Sequence, residues 1–342
     1  YLGAGALVEE SRGSLHCVSS PFFHPGRLPE LFRSRLPWSD RLRLGWLALS
    51  TLACSDQKLL GAPANRTREF LLEEGFSEQM IASFFEPFFG GVFLDPDLET
   101  DSALFRYYLK MFASGRAFLP RGGMARLGTQ LAAQLPEGTI RYGTTVRALE
   151  PGPGRITIHL EGDASLEATA VIMACDPPTS CRLLDWPAPP SRSTRVLYFS
   201  SPEPVYEGKW LVLPSKKPRF AQHFIQLSNI DPTLAPPGQH LLSATVLGAP
   251  CLTERELFAA VKAEITGLFP QTARLLVNLR HFEIPLAQPA QPPGFRKTYQ
   301  SRRQHLPPRL RLAGDLAGNA SLQNALASGQ NVARDLIREG YR

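Results

Sequence analysis

The chain has little of what marks a secreted, metal-bound or membrane-spanning protein. Its five cysteines, Cys17, Cys54, Cys175, Cys181 and Cys251, are odd in number and widely spaced. No Cys-x-x-Cys occurs, so neither a disulfide framework nor a zinc site is indicated. A reducing, cytoplasmic setting is the simplest reading. No apolar run approaches the roughly 18 residues that a membrane-spanning helix needs. The seven histidines are scattered without metal-ligand spacing, and His16, His24, His223 and His281 read as hydrogen-bonded structural residues. No Gly-x-Ser-x-Gly nucleophile turn is present. Lys and Arg exceed Asp and Glu by 37 to 31, a net charge of +6, but they are dispersed. The densest run, Lys216-Lys217-Pro218-Arg219, reads as a solvated loop, which argues against a nucleic-acid partner. A basic face toward anionic lipid, and so a peripheral membrane contact, stays open. Internal repeats and low-complexity tracts are also missing.

What remains is an ordinary globular composition. At 43% hydrophobic and 20% charged, the chain can bury a sizeable core. Its 342 residues suggest about two domains. Residues 28–114 read as mostly helical, with Thr67 and Ser77 as caps and Ser102 opening a helix that ends near Gly115. The apolar segment Leu42 to Cys54 contains Arg43 and reads as a buried helix, with an interfacial helix as the alternative. Thr144-Thr145-Val146 and Ile156-Thr157-Ile158 alternate as strands, separated by the turn Pro151-Gly152-Pro153-Gly154. Residues 194–247 alternate again and suggest an antiparallel sheet. Thr253-Glu254-Arg255-Glu256 opens a helix close to a capping box. The stretch 281–308 is Pro-rich and reads as irregular.

The most informative stretch lies near the end: Arg309-Leu310-Arg311-Leu312-Ala313-Gly314-Asp315, then Ser321-Leu322-Gln323-Asn324-Ala325 and Ser328-Gly329. It reads as a short strand, a tight turn ending in an acid, and a capped helix. Ser321 is a natural N-cap. Leu322, Ala325, Leu326, Gly329, Val332, Ala333 and Leu336 fall on one helical face. A carboxylate beside a helix N-terminus can hold a hydroxyl and an electron-rich ring edge, because free N–H groups and the helix dipole point outward there.

This stretch resembles the C-terminal FAD signature of the flavin amine oxidase and phytoene desaturase superfamily, with Asn324 where that family usually has glycine. Other segments resemble it in order. Leu119-Pro120-Arg121-Gly122-Gly123-Met124 looks like its Pro-x-Gly-Gly-Met loop, followed by a helix with Leu127 and Leu131. Gly143 to Leu149 resembles the strand whose valine backbone meets adenine. Val171 to Pro178 resembles the strand returning to the cofactor domain. Phe85 to Asp95 and His281 to Pro289 look like the desaturase and protoporphyrinogen oxidase side.

The resemblance implies an α/β fold (an α+β mixture). A Rossmann-like FAD/NAD(P)-binding domain, N-terminally incomplete, would be interleaved with a substrate domain of antiparallel sheet plus helices. Residues 1–115 would form a helical substrate or cap part and residues 116–180 part of the FAD domain. Residues 181–300 would form the substrate sheet and residues 301–342 the last FAD strand and helix. FAD is the implied cofactor, held by Val146, Ala174, Gly314, Asp315, Ser321, Leu322, Asn324 and Ala325. The family's opening Gly-x-Gly-x-x-Gly turn is not found; Gly3-Ala4-Gly5 reads as an ordinary strand-turn segment. The chain is therefore expected to lack its N-terminal nucleotide-binding segment.

The implied activity is desaturase- or oxidase-type hydride transfer from an apolar small molecule, polyene or tetrapyrrole-like, to flavin. The Phe84, Phe85, Phe88 and Phe89 cluster is the candidate substrate path. Glu86-Pro87 between the two pairs should bend the backbone and keep all four rings off a single helix face. The alternatives are a non-catalytic relic of the fold that binds a lipid or protein without flavin, and a flavin amine oxidase. No lysine matches the one that amine oxidases place beside the flavin.

Overall fold

The computed structural model describes residues 5–10, 14–19, 37–214 and 219–341. His24, Gly3, Ala4 and the Lys216-Lys217-Pro218 run lie outside the described residues. The strands are β1 (Gly5–Glu10), β2 (Ser14–Ser19), β3 (Val146–Pro151), β4 (Ile156–Leu160), β5 (Ser165–Ala168) and β6 (Val171–Met173). They continue as β7 (Ser191–Ser201), β8 (Leu211–Leu213), β9 (Ala221–Gln226), β10 (His240–Leu247), β11 (Val277–Pro289) and β12 (Leu310–Leu312). Helices of eight or more residues are α1 (Trp38–Leu52), α2 (Glu86–Phe93), α3 (Ser102–Ser114), α4 (Ala125–Ala132), α5 (Pro177–Leu184), α6 (Glu254–Leu268), α7 (Phe295–Gln304) and α8 (Leu322–Arg338). Contacts divide the chain into two compact units. Unit 1 comprises Tyr1–Leu131 and Arg192–Ala287; unit 2 comprises Ala132–Ser191 and Gln288–Arg342. These limits differ from the expected ones at 115, 180 and 300.

Unit 1 is built on a seven-stranded sheet in the order β11-β7-β10-β9-β8-β1-β2. Alternate residues of a strand face opposite sides. Leu197, Phe199, Val212, Phe224, Leu242, Ala244 and Val246 pack on Leu257, Phe258, Val261 and Ile265 of α6. The capping box expected at Thr253 and Glu256 opens that helix. On the opposite face Ala6, Val8 and Leu213 pack against Phe84 and Phe88. Gly5 therefore opens a sheet strand, antiparallel to β2 and parallel to β8, and not a nucleotide turn.

The helical layer corrects three expectations. Ser77 caps its helix and Ser102 opens α3 as expected, behind Asp101 as the N-cap, but Arg66 and not Thr67 holds the N-cap position of its helix. The Phe-rich segment stays helical through Pro87. A π-helical turn, Ile81–Phe85, runs directly into α2, and the wide turn accommodates a residue without an N–H. Phe85 and Phe89 then fall four apart on the core side, at 0% and 1% exposure. Phe84 and Phe88 stack half-buried with planes 4° apart. Finally, α1 is not a buried helix. Leu47 and Thr51 face the core, while Trp38, Leu42, Trp46 and Leu49 are exposed.

The stretch 281–308 is regular, contrary to expectation. Pro285 is tolerated because β11 ends the sheet order, where a missing donor interrupts no ladder. Helix α7 then starts behind Gly294, whose φ of +90° suits glycine.

Unit 2 contains the parallel pair β12-β6 and the antiparallel sheet β3-β4-β5. Its core joins Ile156, Met173, Cys181, Phe295, Tyr299, Leu310, Leu312 and Leu316. On α8 only Ser328 and Leu336 are buried, whereas Leu322 and Leu326 of the expected apolar face are exposed.

Close packing of α2 on β9 depends on glycine. A Cβ on Gly91 would lie 2.6 Å from His223 Nδ1. Gly91→Ala is expected to cost about 1–3 kcal/mol by overpacking, and Phe85→Ala about 3–5 kcal/mol by cavity formation, in urea unfolding. Burial also pushes the His223 imidazole from 6.5 down to about 4. The unfolded chain binds this proton more readily, so His223 costs nothing above pH 6.5 and removes stability as pH falls toward 4. His223→Gln should flatten that part of the stability–pH curve.

Candidate functional site

Strands β6 and β12 run parallel and end together. Ala313 N–H donates to Met173 O at 2.9 Å. Ala174 and Gly314 therefore sit side by side at the carboxyl ends of neighbouring parallel strands, where open α/β sheets place ligands. After β6 the chain enters α5, capped by Asp176 accepting from Thr179 N–H. After β12 it turns at Gly314, whose φ of +88° lies in the left-handed region that glycine adopts without strain.

Helix α8 fixes this turn from both sides. Gly314 N–H donates to Ser328 Oγ at 2.9 Å, and Asn324 Nδ2 donates to Gly314 O at 3.1 Å. Ser321 caps α8 by accepting from Asn324 N–H. Asn319 Nδ2 in turn donates to Ser321 Oγ. The first α-helical bond runs from Ala325 N–H to Ser321 O, so the amides of Leu322 and Gln323 precede the ladder. Asn324 thus gains a role in place of the expected glycine: it braces the turn. Gly318 makes room for it, since a Cβ there would lie 2.5 Å from Asn324 Oδ1.

Asp315 follows the turn. Burial pushes its carboxyl above the ordinary 3.8, with no cation or hydrogen bond among the described residues to offset the desolvation. A cofactor hydroxyl donating to it would relieve that cost. Space beside Gly314 is open, because a Cβ there would meet nothing within 4 Å. A carboxylate, an open glycine turn and two helix-start amides fit a polyol and the anion next to it. Val146 opens β3 at a register shift, and its carbonyl accepts from Arg182 of α5. Unit 2 therefore gathers Ala174, Gly314, Asp315, Ser321, Asn324 and Ala325 around one strand end. Exposed Leu322 lies at its rim, and Val146 is tied in through α5.

The expected Pro-Arg-Gly-Gly-Met loop lies in unit 1. Gly122 N–H donates to the Asp231 carboxylate at 3.0 Å. That bond leads the effects that hold the carboxyl below its ordinary value, with Thr233 adding to it. Sequence reasoning missed Asp231, for no short-range pattern links it to Gly122.

Unit 1 also offers an apolar surface that sequence reasoning missed. Phe282 stacks edge-on with Tyr198 at 5.8 Å, so both lie on the sheet face opposite α6. Ile284 and Leu286 share the phase of Phe282, and all three are exposed. Arg280 lies over the Phe282 ring at 4.9 Å. Of the four expected substrate residues, Phe85 and Phe89 belong to the core, and Phe84 and Phe88 are half-buried against β1 and β8. His16, His223 and His281 all lie in strands, and no cluster of metal ligands occurs among the described residues.

Residues 11–337 match the family model of flavin-containing amine oxidoreductases. No curated protein matches the chain. Solved structures share the fold at low identity. A protein of Exiguobacterium sp. 255-15, provisionally assigned as a protoporphyrinogen oxidase, superposes with a TM-score of 0.71 at 17% identity, over 98% of this chain and 80% of its own. An oxidoreductase of Methanosarcina mazei gives 0.69 at 17% identity, over 98% and 81%. Putrescine oxidase bound to putrescine gives 0.69 at 15% identity, over 99% and 82%.

Two readouts separate binding from folding at Asp315. Asp315→Asn is expected to weaken FAD binding about tenfold or more in a fluorescence titration, as loss of a charged acceptor implies. The same change should leave the ligand-free melting temperature unchanged or raised at neutral pH, because the native carboxylate is desolvated there. A lowered melting temperature with unchanged FAD affinity would make Asp315 a folding residue only.

Proposed function

The chain belongs to the flavin-containing amine oxidoreductase family, and from that premise we propose that it is an FAD-dependent oxidoreductase acting on an apolar substrate that carries an acidic group. Bound FAD would supply the hydride acceptor. The residues that would hold it are Gly314, Asp315, Ser321, Leu322, Asn324 and Ala325, together with Ala174 and Val146. The Asp315 carboxylate would accept a hydroxyl, and the α8 start would face the electron-rich part of the group.

One observation carries the choice of substrate. Strands β7, β10 and β11 place Tyr198, Phe282, Ile284 and Leu286 on one side of the sheet. None of the residues they place there is acidic, and Arg280 brings a positive charge to it. Such a surface would desolvate a hydrocarbon framework and hold a carboxylate. It would repel an ammonium group, which needs an opposite charge when taken from water. No nucleophilic side chain is required; the protein's part is to bind, orient and exclude water.

The amine oxidase reading keeps the same flavin and differs in substrate. Anaerobic mixing of FAD-loaded protein with protoporphyrinogen and with putrescine discriminates between them. Bleaching of the oxidised flavin by the first and not the second is expected. Arg280→Glu should raise KM for the acid-bearing substrate about tenfold or more while kcat changes little, since it reverses a binding charge. Bleaching by putrescine alone would transfer the assignment to amine oxidation.

A further inference from the structure

The open side of the unit 1 sheet carries hydroxyls as well as apolar side chains. Leu197 and Phe199 of β7, and Leu242, Ala244 and Val246 of β10, belong to the α6 core. Alternation therefore turns Tyr198, Ser243 and Thr245 to the opposite side. The register sets Ser243 directly across from Tyr198, and Thr245 across from Val196. None of the three hydroxyls makes a hydrogen bond among the described residues.

They are not the wet side of a two-faced sheet. Ser243 is only 9% exposed, and Tyr198 and Thr245 are half-buried. Val196 and Ile225 flank them on the same side, and Phe282 packs edge-on against the Tyr198 ring. A hydroxyl shut in among apolar groups without a partner carries a desolvation cost that a bonded ligand atom removes. Arg280 shares this side on β11, and no acid among the described residues pairs with it. The strand order β11-β7-β10 sets two strand spacings, ~10 Å, between Arg280 and the β10 hydroxyls.

We propose that Tyr198, Ser243 and Thr245 form a hydroxyl subsite for a second oxygen function of the substrate, a carboxylate or carbonyl ~10 Å from the acidic group at Arg280. The inference rests on the substrate surface proposed above and narrows its ligand to an apolar frame with oxygen at both ends. The hydroxyls donate to such an oxygen, and a charged acceptor gains most from them. An ammonium group fits less well, because three neutral hydroxyls supply no opposite charge when it leaves water. A purely apolar tail would leave the hydroxyls without partners.

The test is calorimetric titration of the full chain with biphenyl monocarboxylate and with biphenyl dicarboxylate, which bears acidic groups at opposite ends of the same frame. The dicarboxylate is expected to bind about tenfold or more tighter. Ser243→Ala with Thr245→Val should abolish that preference while monocarboxylate affinity and the melting temperature stay as in wild type. Tyr198→Phe offers an independent variant, since it keeps the ring against Phe282 and should reduce the preference. Arg280→Glu should weaken both acids. Equal wild-type affinity for the two acids, or a preference that survives loss of the hydroxyls, would overturn the subsite and leave the surface standing. Failure of both acids to bind, or binding indifferent to Arg280→Glu, would overturn the surface and the subsite with it.

Discussion

Helix α8 grips the turn at Gly314 through two hydrogen bonds, one received by Ser328 and one given by Asn324. The rest of unit 2 is arranged around that grip. It fixes where β12 stops, sets Asp315 just beyond a positive-φ residue, and brings the start of α8 to the same strand end. Each bond alone contributes about 1 kcal/mol. Their combined effect is geometric: a carboxylate and two uncommitted helix amides are held in place before any ligand arrives. Pre-positioned polar groups bind without a further ordering cost. The desolvated state of Asp315 is the counterpart, a local cost that a hydroxyl donor would remove.

Much of this strand end was legible because its signals are local. Ser321 as N-cap, Gly314 as turn and Asp315 as the acid beyond it depend on neighbours within a few residues. The departure at Asn324 could be read as a mismatch but not explained, since its partner is a carbonyl ten positions away and the space it fills exists because residue 318 is glycine. The capping box at Thr253 was equally visible. Expectations failed where a remote contact decided the outcome. Pro285 lies in a strand because β11 ends the sheet order, and proline content alone cannot reveal which strand is at an edge. Pro87 leaves the segment helical because a π turn precedes it. The apolar pattern of α1 looked like burial, yet two apolar faces of one helix can have different partners.

Unit 1 uses a single sheet in two ways. Its α6 side is a closed hydrophobic core. The other side is covered by aromatic side chains near β1 and β8, and it is open where β7 and β11 carry Tyr198, Phe282, Ile284 and Leu286. This asymmetry was hidden in the sequence, because alternation reports that a strand has two faces but not what covers each. The innermost rings of the Phe84–Phe93 cluster, by contrast, are core.

The strand end at Gly314 and the first turn of α8 form the proposed FAD site. Hydrogen–deuterium exchange of the full chain with and without FAD addresses those atoms directly. Slower exchange is expected at the amides of Leu322 and Gln323 and across Gly314 and Asp315 when FAD is added. FAD that binds but leaves exchange in this segment unchanged would contradict it.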